Sequence, residues 1–255
     1  MASAAMDEVE LMSAPAVAAS GGGPRGYIAV ACIVLTLAFS VMGLFMDSWL
    51  VSTGKDAGSM RQGLSIMTID CSIGEGGDAE VELCSFYSYM VLHEDPENAE
   101  LPDEIPTVNS GSISDFCKNT EELATLDDNI DNQEQTALDD CNDNVSAGKT
   151  GAIILWAAAG LGLIATVLIL FNVLGIGTLP VNTQKFGFIT AIAAGVLAGI
   201  AITVWRLMLP TNNMAVGMNV WLTSIGVITA IIAGVLIKIH GKPPASFEAD
   251  APVTQ

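Results

Sequence analysis

Residues 151–174 read GAIILWAAAGLGLIATVLILFNVL, without one Asp, Glu, Lys, Arg or His. At about 1.5 Å of rise per residue, a helix of this length covers the ~30 Å hydrocarbon thickness of a bilayer. Three more stretches, 27–46, 186–209 and 215–239, are as apolar, apart from Arg206 and Lys238 near the ends of the last two. Together they predict an α-helical membrane protein, a four-transmembrane-helix bundle. The connections are very unequal. Residues 175–185 and 210–214 are short turns, whereas 47–149 separate the first span from the second.

Hydrophobic residues make up 51% of the chain and charged residues 15%, against about 25% charged in an ordinary soluble domain. The two classes are segregated. Residues 47–149 hold 23 acids against four bases, Lys55, Arg61, Lys118 and Lys149, which leaves the −19 carried by the chain as a whole. Such a field repels nucleic acid, so no nucleic-acid partner is expected, and it attracts cations or basic partners.

Four of the five cysteines, Cys71, Cys84, Cys117 and Cys141, lie in this same segment. An even set confined to one loop reads as two disulfides formed in an oxidising compartment. Of the three pairings, Cys71–Cys84 and Cys117–Cys141 is expected, because each pair brackets one compact motif. Closing loops of that size stabilises a fold by about 3 kcal/mol each. Cys32, alone in the first span, reads as a packing residue.

Arg25, Lys185, Lys238 and Lys242 fall on one side of the spans, and the short segments of the other side offer only Arg206. The positive-inside bias puts both termini in the cytoplasm, with residues 1–26 and 240–255 as disordered tails. The first span then serves as a retained signal anchor. The expected location is the plasma membrane, with the acidic domain outside. Asp47 and Arg206 sit near outer helix ends beside Trp49 and Trp205, at the depth where tryptophan prefers the interface and where the two charges can pair.

Within the spans, Gly187, Ala191, Gly195 and Gly199 recur every four residues, as do Gly226, Ala230 and Gly234. Small residues in such stripes let helix backbones approach closely in lipid. The stripes either pack the helices of one subunit or form a homo-oligomer seam. No ionisable residue lies near the middle of any span, which argues against a pump or ion pathway.

In the acidic domain, residues 63–92 alternate. Met67, Ile69, Cys71 and Ile73 point one way, a Gly-rich turn follows, and Val81, Leu83, Tyr87, Tyr89 and Val91 continue the apolar parity. This predicts a β-hairpin braced by its disulfide, with another strand supplied by residues 50–52 or by the stretch before Gly63. The Pro-rich, acidic residues 93–112 read as a linker. In residues 113–141, Phe116, Leu123, Ile130 and Ala137 recur every seven positions, predicting an amphipathic helix or broken helix pair inside the second disulfide.

With Trp49 after the first span, Gly63-Leu64, and then Cys71 and Cys84, the chain resembles the claudin and peripheral-myelin-protein superfamily. The resemblance covers the four-span layout and about forty external residues. It implies a small extracellular sheet whose strands the two cysteines join, and roles in adhesion, barrier formation or accessory subunits. The chain differs in Ser65, where claudins carry a second Trp, and in the acidic insertion after Cys84.

Asp127, Asn129 and Asp131 follow positions 1, 3 and 5 of a calcium loop, although Leu138 stands where the closing Glu belongs. Asp139, Asp140 and Asp143 form a second oxygen-rich cluster, so Ca²⁺ is the one cofactor these residues suggest. Asn144-Val145-Ser146 is a glycosylation triplet close to the second span. No P-loop, GxSxG, HExxH or CxxC arrangement occurs. The sequence therefore predicts a non-enzymatic protein whose partners are the bilayer and a membrane or extracellular protein, or a second copy of itself. Its role is adhesion, structure or that of an accessory subunit, and the alternative is a Ca²⁺-responsive sensor or channel modulator.

Overall fold

The computed structural model describes residues 23–52, 59–72, 78–92, 102, 105–125, 132–175, 182–210 and 214–240. The first helix, α1, runs Pro24–Phe45. Proline suits its first turn because the missing N–H would have no intrahelical partner there. Strands β1 (Leu50–Val51), β2 (Ser59–Gln62) and β3 (Ile66–Asp70) follow, then helix α2 (Asp78–Leu92), strand β4 (Val108–Ser112) and helix α3 (Ile113–Thr125). Helix α4 spans Asn132–Leu174, α5 Thr183–Met208, strand β5 Ala215–Val216 and α6 Met218–His240. The expected tails fall mostly in residues 1–22 and 241–255, outside the described residues. Parts of both short turns, 176–181 and 211–213, lie outside them too.

Helices α1, α4, α5 and α6 are each long and apolar enough to cross a membrane. They form a ring in which α1 lies beside α4 and α6, and α5 beside the same two. Its interior is built largely from small or β-branched residues, with Ala29, Ile33, Ala165, Ile169, Ala191 and Ala233 forming one half of the core. Large apolar side chains face outward instead, among them Ile153, Leu163, Ile228 and Leu207, the last 79% exposed. A water-soluble bundle would invert this arrangement.

The small residues sit at helix crossings. A β-carbon at Gly195 would come 2.9 Å from the Ala230 methyl, and one at Gly234 would come 2.8 Å from Ile192, so α5 and α6 approach closely. Gly187 faces Ile169 of α4, and Gly226 faces Thr36 and Phe39 of α1. Thr36 Oγ1 lies 3.0 Å from the Gly226 carbonyl oxygen and 2.9 Å from Thr229 Oγ1, a polar link between α1 and α6. The packed face of α5 does not follow the four-residue stripe to its end. It turns through Ala194, Ala198 and Ala201 to Trp205, because 3.6 residues per turn carries a strict four-residue spacing off the seam.

At one end of the ring stands a head built on a five-stranded antiparallel sheet in the order β4-β3-β2-β1-β5. Residues 50–51 and 59–62 do supply the extra strands, but the hairpin expected over 63–92 is not formed. Its second arm is α2. Both edges of β3 are already taken, by β2 on one side and β4 on the other, which leaves no ladder for that arm to join. The residues read as linker likewise contribute β4. Both disulfides are present with the expected partners. Cys71–Cys84 joins the end of β3 to α2 instead of linking two strands, and Cys117–Cys141 joins α3 to α4.

Two span boundaries also move. Helix α4 begins at Asn132, well before the apolar run at 151, and its 43 residues make a rod of about 65 Å. Residues 215–216 belong to the sheet, and α6 starts at Met218.

The crossings give a graded expectation. Gly195→Leu must displace Ala230 and the Val227 carbonyl and should destabilise the bundle by about 1–3 kcal/mol. Gly199, whose β-carbon would sit 3.9 Å from Val227, should accept leucine with a much smaller loss. Thermal unfolding of the two variants in detergent checks the order.

Candidate functional site

The head is tied to the bundle at Trp49. Its side chain is fully buried, its indole N–H donates to the Gly43 carbonyl at 2.6 Å, and its ring meets Trp205 edge to face at 4.8 Å. Backbone bonds continue from the same point. Trp49 N–H donates to Gln62, Gly217 N–H donates to the Trp49 carbonyl, and Asn219 N–H donates to Ser48. Trp49 and Trp205 therefore do not sit in an interfacial belt. The exposed tryptophans are Trp221 and Trp156, and Trp156 stacks edge to face on Phe45. Asp47 meets Arg61 at 3.7 Å, not Arg206. This half-exposed pair adds little to stability.

Leu64 joins the same cluster as Trp49 and Trp205. It is pressed against α4 where Gly148 leaves no space for a β-carbon beside the Leu64 carbonyl, so only glycine permits that approach. Further out, Met67 and Ile69 of β3 and the adjoining Cys71 pack with Val91, Leu92, Ile113 and Cys117 beneath α2 and α3.

Helix α2 ends on the buried Val91 and Leu92, but over residues 83–88 its polarity is inverted. Its buried side carries Ser85 and Ser88, whose hydroxyls bond to the Val81 and Ser85 carbonyls. Asn109 of β4 donates to Ser88 Oγ at 2.7 Å and to the Pro106 carbonyl at 2.9 Å, so the polar contact is satisfied internally. Asn119 of α3 closes the end of α2 by donating to the Val91 carbonyl. Its open side carries Leu83, 70% exposed, with Phe86 and Tyr87, flanked by the exposed Glu80 and Glu82. Spacings of three and four residues place these side chains on one face. The period-two reading of 81–91 missed this patch. The signal that finds it is the 81, 84, 85, 88, 91 spacing of small and apolar residues.

Of the calcium candidates, Asp127, Asn129 and Asp131 lie outside the described residues. Asp139, Asp140 and Asp143 lie on α4, with Asp139 Oδ1 accepting from Gln135 at 3.4 Å. Among the described residues, no three His, Cys, Asp or Glu side chains come together as a metal site. Asn144 is also on α4, half-buried, with its amide oxygen 3.4 Å from Gln62 Nε2. Comparison with known proteins finds no family model that matches the chain and no curated protein that matches it.

Two outcomes follow from this geometry. Trp49→Ala should cost about 3–5 kcal/mol, and Trp49→Phe clearly less. Unfolding followed by tryptophan fluorescence measures both. Asn144, held in a helix against Gln62, should stay unglycosylated, so glycosidase treatment of protein from eukaryotic cells should leave its gel mobility unchanged.

Proposed function

We propose that the chain is a multi-pass protein of the plasma membrane, with both termini cytoplasmic and the head outside. In this reading it is a surface adhesion or structural element, or an accessory subunit of a larger membrane complex, and it carries out no catalysis itself. The observation that carries the reading is the open apolar face of α2. Contiguous exposed Leu, Phe and Tyr rimmed by acids is the composition of a protein-binding patch, since a soluble head gains nothing by leaving them in water. The outward-facing aliphatic side chains of the ring support insertion in lipid, and the disulfides support an oxidising exterior. The grouping of Trp49 and Leu64 in one cluster is compatible with a claudin-like head. Adhesion and accessory roles are the functions such a head would serve.

The test is a photo-crosslinking residue placed at Tyr87 in intact cells. A specific crosslinked protein is expected, whether a different chain or a second copy. Leu83→Glu with Phe86→Ser should reduce its yield at least tenfold, because each removes an anchor of the size seen at interface hot spots. Equal yield from the variant, or crosslinks only at background, would reject the α2 face as the contact. Labelling of an exposed head lysine by an impermeant reagent only after cell lysis would reject the orientation.

A further inference from the structure

At the end of the ring opposite the head, α5 and α6 frame an open groove of about 340 Å³ lined by Asn182, Gln184, Lys185, Phe188, Ile189 and Lys238. Its two uncharged polar side chains are each held through one end. Asn182 caps α5 by accepting from Lys185 N–H at 3.0 Å, and Gln184 Nε2 donates to the Ile237 carbonyl at 3.1 Å. Beside them the groove presents two ammonium groups and an apolar wall of Phe188 and Ile189. Lys238 is held 5.2 Å above the Phe188 ring, which fixes its charge at the groove. Among the described residues neither lysine meets a carboxylate, although the chain as a whole carries a net charge of −19.

We propose that this groove binds an anionic phospholipid. The headgroup phosphate lies between Lys185 and Lys238, and the upper part of an acyl chain lies along Phe188 and Ile189. The inference rests on the membrane reading above. Lys185 stands in the first turn of α5 and Lys238 near the last residue of α6, so both are level with the ends of the apolar spans. Phe188 and Ile189 lie about 5 Å deeper along α5, which is the step from headgroup to glycerol and first methylenes. Basic pockets between helices on the cytoplasmic side recognise such headgroups through charge, with apolar walls taking the chain. A site with two cations and an aromatic wall suits a phosphodiester joined to a hydrocarbon better than a free polar solute.

The experiment uses the full chain in phosphatidylcholine vesicles containing a trace of spin-labelled phosphatidylserine or, separately, spin-labelled phosphatidylcholine. The motionally restricted fraction should favour the serine lipid by roughly fivefold for each lysine. Lys185→Gln with Lys238→Gln should abolish the preference, while Lys149→Gln at the head end should preserve it. Millimolar inorganic phosphate should leave the restricted fraction unchanged. Displacement by inorganic phosphate would overturn the lipid assignment in favour of a free-anion site. No headgroup preference, or a preference kept by the double glutamine variant, would overturn the groove while the chain still resists alkaline carbonate extraction. A chain stripped from vesicles by carbonate would overturn the membrane reading and the groove together.

Discussion

The seating of the sheet on the bundle depends on the short segment 48–50, where three kinds of force meet in one place. The Trp49 indole gives its only donor to Gly43 and its ring to Trp205. The flanking backbone pairs with β2 on one side and with β5 and the start of α6 on the other. A buried aromatic contributes a large apolar area, and its N–H must find an acceptor, so the ring can rest in only one way. The sheet inherits its orientation from that anchor. Because β5 comes from the connection between α5 and α6, the sheet also clamps these two helices at their head ends.

In the membrane setting proposed above, the bundle obeys a different rule from the head. Apolar side chains gain little from contacting one another when the surroundings are also apolar, so association relies on close approach and on a few polar links. Gly195 against Ala230, Gly234 against Ile192 and Thr36 against Gly226 are such contacts. The head, by contrast, combines a modest apolar core with two covalent ties and a serine–asparagine network under α2. A small domain with few large core residues depends on such ties more than a large one does.

Much of this was legible in the residues. The four apolar runs, the cysteine pairing and the extra strand from residues 50–51 all follow from length, spacing and parity. The errors share a cause. Residues 132–150 are polar yet helical, because polarity reports the surroundings of a segment and not its backbone. A change of composition at 151 thus marks a change of environment inside one continuous helix. The Val108–Ser112 strand has no apolar alternation to betray it, since Ser110 pairs with Thr68 through hydroxyls 2.8 Å apart. For residues 81–91 a period-two coincidence hid a helical one, and only the occupancy of both β3 edges decides between them. The lysine groove was legible only as far as placing Lys185 and Lys238 on one side of the spans, because it takes the antiparallel packing of α5 and α6 to make both line one groove.

The continuity of α4 has a mechanical consequence. About 28 Å of this rod rises beyond residue 151 into the head, and about 36 Å runs through the ring. The rising part is bolted to α3 by Cys117–Cys141 and pinned at its foot by Leu64 against Gly148. A stiff shaft held at a fulcrum behaves as a lever with nearly equal arms. A lean of about ten degrees imposed on the head would swing the far tip of the shaft by roughly 6 Å in the opposite sense. A push on the head would thereby reach the opposite rim of the ring as displacement, because α4 is one unbroken helix from Asn132 to Leu174.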